Sequence, residues 1–551
     1  MSSSVSKIFV VGQRDNKVSS VSSLNQPSTI SLESPPPTAP VAKAEKDTYG
    51  QILKSTALVG GSSAINIAMG IIRTKAIAVL LGPAGFGLLG LYGSIASLTQ
   101  SIAGLGINSS GVRQIAEAVG SDDKERIART ALVLRRVSIL VGLLGAILLV
   151  VFSAQVSTVT FGSKQNTAAV SLLSIAVFFN LVSNGQGALI QGMRRISDLA
   201  KMGVLGALFG TLITIPVVYF FREQGVVPSL VAVAAMSLVT SWWYSRKVQL
   251  ETPPMTASQR GQEAAALLKL GFAFMSSGLM MMGSAYVVRI TVLHKLGLEA
   301  TGVYQAAWTL GGMYVAFILQ AMGADFYPRL TASAKDNTAC NRLVNEQARV
   351  SLLLSGPGVI ATLTFAPVVI ALFYSANFGA AVGILRWICL GTTLQVISWP
   401  MGFIIVAKGE KGLFFFSELA WTIVHLGLAW VCLGSVGLNG AGIAFFGSYA
   451  FHVFLNYLIV RRLSGFRWST ENLQTGLFFL TLIAVVFCGF YVLPAIWAAS
   501  VGILALLLSA VYSIRVLLTF GLLDRVPRPL RRVLFAFGFC PSCVTLADWR
   551  R

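Results

Sequence analysis

The sequence predicts an all-α polytopic membrane protein of about fourteen transmembrane helices, arranged as two parallel-repeat six-helix lobes followed by two C-terminal helices. Three observations carry this prediction. Apolar runs of near-constant length recur along the chain, basic residues occupy alternate connections, and the second half echoes the first.

Hydropathy gives the elements. Of 551 residues, 55% are hydrophobic and 11% charged, a balance that a water-soluble globule would have to carry as large exposed apolar patches. About 20 apolar residues, at 1.5 Å of rise each, cross ~30 Å of hydrocarbon. Helices are expected because lipid cannot satisfy loose backbone amides, and the runs lack the alternation of a membrane barrel. Twelve spans fall at 51–81, 85–111, 131–152, 168–191, 199–221, 226–244, 267–294, 301–327, 348–373, 380–407, 413–433 and 438–460, with two more at 473–492 and 495–520.

Charge orients them. A formal net charge of +21 would suit nucleic acid if it formed one patch, but the basic residues lie in short connections between apolar runs, which excludes that class. Arg113, Lys124, Arg126, Arg129, Arg194, Arg195, Lys201, Arg246, Lys247, Arg260, Arg329, Lys335, Arg342, Lys408, Lys411, Arg461, Arg462 and Arg467 share one side; Lys164, Arg222 and Lys295 are nearly all that the other side holds. Both termini are therefore expected in the cytoplasm, and Arg525, Arg528, Arg531 and Arg532 agree. The Ser/Pro-rich segment 1–48 reads as a disordered cytoplasmic tail with no signal peptide, and 521–551 as a basic cytoplasmic tail. The six cysteines are scattered and no disulfide is expected; Cys540 and Cys543 have redox or metal spacing but no further ligands nearby. No metal site, cofactor site or catalytic residue is expected.

The repeat gives the domains. Arg73 and Arg289 lie 216 positions apart, as do Arg113 and Arg329, and the run from Gly82 to Gly87 answers the run from Gly297 to Gly302. Arg136-Val137-Ser138 likewise answers Arg349-Val350-Ser351. A repeat of six spans is even, so the halves share orientation about an axis along the membrane normal. The domains are 49–245 and 265–462, joined by a cytoplasmic linker at 246–264 that contains Pro253-Pro254, with 463–520 holding the two additional spans.

Arginine at membrane depth costs about 2.5–3.5 kcal/mol on insertion scales, which makes it the first functional candidate. Arg73 stands nine residues before Gly82, about 13 Å by helical rise, and Arg289 is similarly deep in the other lobe. Each either snorkels and pairs locally, or lines a cationic cavity between the lobes, where a planar guanidinium fork binds phosphate oxygens bidentately. Lys75 is about 200° around the helix from Arg73, so only one of the two can face such a cavity, and Arg73 is chosen. Arg386 opens the tenth span and either joins the cationic lining or snorkels to the interface. Asp325 and Arg329 share a helix face at i,i+4, as a structural ion pair or, with Arg113, as an inner-mouth gate. His425, His452 and Glu418 are candidates for coupling to an ion, against the commoner role of hydrogen-bonded core or interfacial groups.

The run Leu81-Gly82-Pro83-Ala84-Gly85-Phe86-Gly87, with Arg73 upstream, resembles the opening of the Wzx-type O-antigen and enterobacterial-common-antigen flippases. Val303-Tyr304-Gln305 through Phe326-Tyr327-Pro328-Arg329-Leu330 resembles their second-lobe opening, and the similarity in pattern extends over residues 49–462. The resemblance places the chain in the multidrug/oligosaccharidyl-lipid/polysaccharide exporter superfamily. It implies two six-helix bundles, alternating access, a bacterial inner (plasma) membrane location, and an undecaprenyl-pyrophosphate-linked glycan as cargo. Its cationic central cavity would fall on Arg73 and Arg289. The long N-terminal tail and the two extra C-terminal spans depart from the shorter members.

The expected function is a flippase, not an enzyme, carrying an undecaprenyl-pyrophosphate-linked oligosaccharide such as an O-antigen unit from the cytoplasmic to the periplasmic leaflet. Its partners are that glycan and membrane lipid, with a polysaccharide polymerase and a chain-length regulator as candidates and no nucleic acid. A lipid II flippase fits the same chemistry. A drug/cation antiporter of the same superfamily would need intramembrane carboxylates, of which the interior offers little beyond Asp325. A membrane-embedded glycan ligase or polymerase would need a periplasmic loop with acid/base groups, yet the outer connections hold only Glu223, His294 and Glu299.

Overall fold

The computed structural model describes residues 39–248, 254–321 and 326–519. Every expected span falls on a helix. The first two are limbs of α1 (Ala39–Gly104), which at 66 residues would reach about 100 Å if straight and instead breaks at Gly82. Gly82 has φ 64° and ψ −167°, a backbone state that glycine adopts without the clash a Cβ would bring. The seventh and eighth spans are the two limbs of α8 (Ala257–Ala321), broken in the same way at Gly297, φ 88°. The repeat found in the sequence is thus a repeat of elbows.

Between them the first lobe runs through α2 (Ile107–Gly120), α3 (Lys124–Val151), α4 (Ser153–Phe161), α5 (Thr167–Gly192), α6 (Ile196–Phe221) and α7 (Val226–Ser245). The second continues from α8 through α9 (Tyr327–Ala332), α10 (Asn337–Phe373), α11 (Ala381–Ala407), α12 (Lys411–Ser435) and α13 (Asn439–Ser464), followed by α14 (Thr470–Val492) and α15 (Ala495–Thr519). Corresponding helices pack alike: α5 against α3 and α7 in the first lobe, α11 against α10 and α13 in the second. The C-terminal pair docks on α10, where Gly356 lets the Phe479 ring lie against the backbone and Gly502 meets Thr364.

Three boundaries differ from the sequence reading. The first helix begins at Ala39, inside the segment read as an irregular tail, because Ala42, Lys43, Ala44, Glu45 and Lys46 are strong helix formers running into the first span. The second span ends at Gly104 instead of 111, since Leu105 and Gly106 both take positive φ and start the separate helix α2. The connection between lobes is shorter than 246–264, α8 beginning at Ala257. Residues 1–38 and 520–551, with Cys540 and Cys543, lie outside the described residues, as does Asp325.

Packing is that of a protein dissolved in lipid. On α3, Leu140, Leu144, Ile147 and Val151 form an exposed apolar stripe at helical spacing, while Leu134, Val137, Val141, Gly145 and Leu149 are buried opposite. The interior is correspondingly rich in small hydroxyl side chains, among them Ser138, Ser174, Ser183, Thr214, Ser351, Ser355 and Thr392.

Candidate functional site

The lobes meet at the elbows. An ideal Cβ on Gly87 would lie 2.6 Å from the Leu298 carbonyl oxygen and 3.0 Å from the Gly302 nitrogen; one on Gly302 would overlap the Pro83 carbonyl. Gly87 and Gly302 are repeat mates, and so are Pro83 and Leu298, so the pseudo-two-fold axis passes between these backbones. Only glycine permits this approach.

Two further contacts close the same face, each a first limb reaching into the opposite lobe. Lys75 Nζ donates to the carbonyls of Ala371 (3.3 Å) and Leu372 (2.6 Å) at the end of α10, where orphan carbonyls and the helix dipole favour a cation. From α8, Tyr286 shares a 2.7 Å hydrogen bond with the Thr160 hydroxyl, and His294 Nε2 lies 3.0 Å from the Thr160 carbonyl at the end of α4. On the opposite face the start of α8 lies on the first lobe: Gly271 is backbone to backbone with Gly106, and Leu267 is buried among Ile107, Leu134 and Val137.

Arg289 sits eight residues below the second elbow, about 12 Å by helical rise, and only 8% of it is exposed. Its Nε donates to Gln305 Oε1 at 2.6 Å and one terminal nitrogen donates to the Ala285 carbonyl at 3.0 Å. Both acceptors are neutral, and among the described residues no carboxylate pairs with it. Two of the five guanidinium N–H groups are committed, which leaves three for an anion. Gln305 is held in turn by Thr309 at 3.1 Å and packs on Gly90 of the first lobe, where a Cβ would come within 2.8 Å of its amide oxygen. The guanidinium therefore belongs to the seam.

Arg73 occupies the matching position on α1, half-buried, with a terminal nitrogen 3.6 Å from an ideal Cβ on Gly210 of α6. It forms no hydrogen bond or ion pair among the described residues. The two arginines hold equivalent places in the repeat but not the same surroundings, since Arg289 is tethered within α8 and Arg73 rests against α6. Arg386 turns elsewhere: its Nε donates to the Leu363 carbonyl of α10 at 3.4 Å, and its guanidinium carbon lies 3.7 Å from the Phe490 ring centre of α14. Its place is the contact with the C-terminal pair, a correction to the cationic lining, because the aromatic face and the free carbonyl lie within reach of its own helix end. Arg113 is exposed on α2 and paired with Glu117 at 2.8 Å, while Arg329 is exposed on α9.

His425, His452 and Glu418 converge on one cluster between α11, α12 and α13. His452, 3% exposed, lies 3.2 Å from Ser398 Oγ through Nδ1 and 3.2 Å from both Ser417 Oγ and Asn456 Nδ2 through Nε2, with Glu418 Oε1 at 4.0 Å. His425 stacks on Trp421, ring centres 5.2 Å apart. Sequence reasoning missed Gln305, Ser398, Ser417 and Asn456, and it set Lys75 aside in favour of Arg73. The only local signal was a polar residue inside an apolar run, which Gln305 and Asn456 both show.

Two elbowed six-helix lobes about a pseudo-two-fold axis, with a buried guanidinium at their seam, make up an all-helical multi-pass membrane fold. The model of a family described as polysaccharide biosynthesis protein matches residues 76–383, more than half of the chain, and the chain belongs to that family. It is 19% identical to the lipid III flippase of Escherichia coli (strain K12) over 400 residues, 72% of this chain and 95% of that protein. Among solved structures it is similar to an inward-facing multidrug resistance MATE family transporter of the MOP superfamily, with a TM-score of 0.62 at 17% identity, covering 73% of this chain and 94% of that one. The lipid II flippase MurJ in an inward closed conformation aligns with a TM-score of 0.59 at 14% identity, covering 85% of this chain and all of that one.

Proposed function

We propose that the chain moves an undecaprenyl-pyrophosphate-linked oligosaccharide, an O-antigen or related surface polysaccharide unit, from the cytoplasmic to the periplasmic leaflet of a bacterial inner membrane by alternating access. The observation that carries the proposal is Arg289, a guanidinium buried at mid-depth, paired only with neutral acceptors and with three donors uncommitted. A pyrophosphate crossing bare hydrocarbon would meet a desolvation cost of order tens of kcal/mol. A charge already desolvated and preorganised at the seam replaces part of the lost water. The lipid tail stays in the bilayer, leaving through the gap between the first and eighth spans. The related lipid III flippase supports a lipid-linked cargo.

On this reading the elbow face is periplasmic, the linker and both termini are cytoplasmic, and the contacts of Gly87, Gly302, Lys75 and His294 are those of an outward-closed state. Arg73 is the second cationic group, freed to turn toward the head group as the lobes separate. Arg113 and Arg329 flank the cytoplasmic mouth. A polysaccharide polymerase and a chain-length regulator are the proposed partners, and no catalytic step is assigned to the chain.

The test is complementation of a strain lacking the protein. Arg289→Ala abolishes surface glycan at wild-type membrane abundance, and Arg289→Lys, a point charge without the planar fork, restores only part of it. Normal glycan display by Arg289→Ala would end the assignment. Mass analysis of the lipid-linked species that accumulates in the deletion strain separates an O-antigen-type unit from lipid II, and accumulation of neither overturns the proposed cargo.

A further inference from the structure

The cluster on α11, α12 and α13 has a hydrogen-bond order that follows from donor counting. Ser417 Oγ donates to Asn456 Oδ1 at 2.6 Å, so its proton is not available to His452. The Asn456 amide is then the donor on its other side, giving one hydrogen to Ser398 Oγ at 3.1 Å and one to His452 Nε2 at 3.2 Å. Nε2 is thereby an acceptor, and the ring proton sits on Nδ1, donated to Ser398 Oγ at 3.2 Å. The network holds the imidazole neutral with its basic nitrogen on the side of the Glu418 carboxylate, 4.0 Å away. The titratable groups facing this point are Glu418 and His425 from α12 and Tyr449 and His452 from α13, while α11 supplies only Ser398 and Trp399. Among the described residues the 4.0 Å approach of Glu418 to His452 is the only carboxylate contact any of them makes with a basic group, and it becomes an ion pair only when the imidazole is protonated.

We infer that Glu418 and His452 form a binding site for one exchangeable proton, held in register by Ser398, Ser417 and Asn456, and that occupancy of this site biases the conformation of the lobes. Uptake adds a single positive charge, converting the carboxylate to the acid or forming Nε2–H and so the imidazolium beside it, and no other covalent bond changes. A hard cation is the competing occupant, but such an ion asks for a shell of oxygens, and here a Brønsted base faces the single carboxylate. Glu418 lies seven residues into α12, about 10 Å from its start, so the site is reached from the linker face, whereas Arg289 lies about 12 Å below the elbow of the opposite face. The site is distinct from the proposed head-group site. Only its use in driving transport rests on the flippase reading.

The experiment uses the full chain in lipid nanodiscs with two readouts, neither of which needs the glycan. Infrared difference spectra between about pH 5 and pH 8 follow carboxyl protonation. In the second, a Val303→Cys probe, at a position 6% exposed beside the elbow contact, is labelled with a membrane-impermeant maleimide in a chain whose six native cysteines are replaced. The wild-type background shows one titrating carboxyl band and pH-dependent labelling. Glu418→Gln removes both, His452→Gln moves the midpoint of the band, and Ser417→Ala, which disturbs only the register, moves it less. A band that persists in Glu418→Gln, or a midpoint that shifts when sodium replaces potassium at equal ionic strength, overturns the proton site. A titrating band with pH-independent labelling overturns the conformational bias. Loss of the flippase reading by complementation would leave both measurements standing, so the two failures are distinguishable.

Discussion

Replacing Gly87 by Ala tests the elbow contact directly. The new Cβ would lie 2.6 Å from the Leu298 carbonyl oxygen, whereas ordinary contact begins at 3.4 Å, so the lobes must part by about 0.8 Å there. The obstacle is backbone on both sides and has no rotamer to escape into. Overpacking of this kind costs about 1–3 kcal/mol. The greater helix propensity of Ala, worth about 1 kcal/mol, favours every conformation equally and cancels. If the cost falls only on the elbow-closed state, the closed-to-open ratio drops by about 5- to 150-fold. The assay is maleimide labelling of Val303→Cys in the cysteine-free background, with and without Gly87→Ala. The expected result is labelling accelerated within that range at unchanged protein abundance. Identical labelling rates in a folded, membrane-inserted variant would refute the claim that this contact closes one face of a moving pair of lobes.

Two other substitutions probe neighbouring features. Lys75→Met removes the cation from the last carbonyls of α10 while keeping much of its apolar stem, so a closed-state loss of about 0.3–1 kcal/mol is expected, read as a smaller acceleration of the same labelling. Equal labelling in this variant would reduce the lysine to a snorkelling surface group. Gly356→Leu drives a side chain into the space of the Phe479 ring and should undock α14 from α10, exposing the connection before Thr470 to limited proteolysis while the lobe contacts at the elbows persist. An unchanged digestion pattern would show that the C-terminal pair does not depend on that glycine.

Much of the architecture was legible because the signals are local. Apolar runs mark the spans one by one, and a charge excess in alternate connections requires no knowledge of packing. The matched spacing of Arg73 with Arg289 and of Gly82 with Gly297 revealed symmetry because both halves must present equivalent surfaces to each other. Depth was equally readable, since a residue's distance from an elbow follows from helical rise. The position of Arg289 was therefore available from the chain, and so was the choice of guanidinium as its chemistry.

Direction and partnership were not. Arg386 turned to Phe490 because α14 packs beside α11's neighbour α10, which no spacing along the chain announces. Gln305 reaches Arg289 only because Gly297 folds the helix back between them. Ser398, Ser417 and His452 come from three helices, with 54 and 35 positions separating the two serines from the histidine, and they form a network only after the helices close. Hydrophobic length and charge placement are set by the solvent and can be read residue by residue. Which polar atoms share an interior is decided by the packing of helices distant in sequence, where leaving any one of those atoms unpaired in lipid would cost more than the contact itself gains.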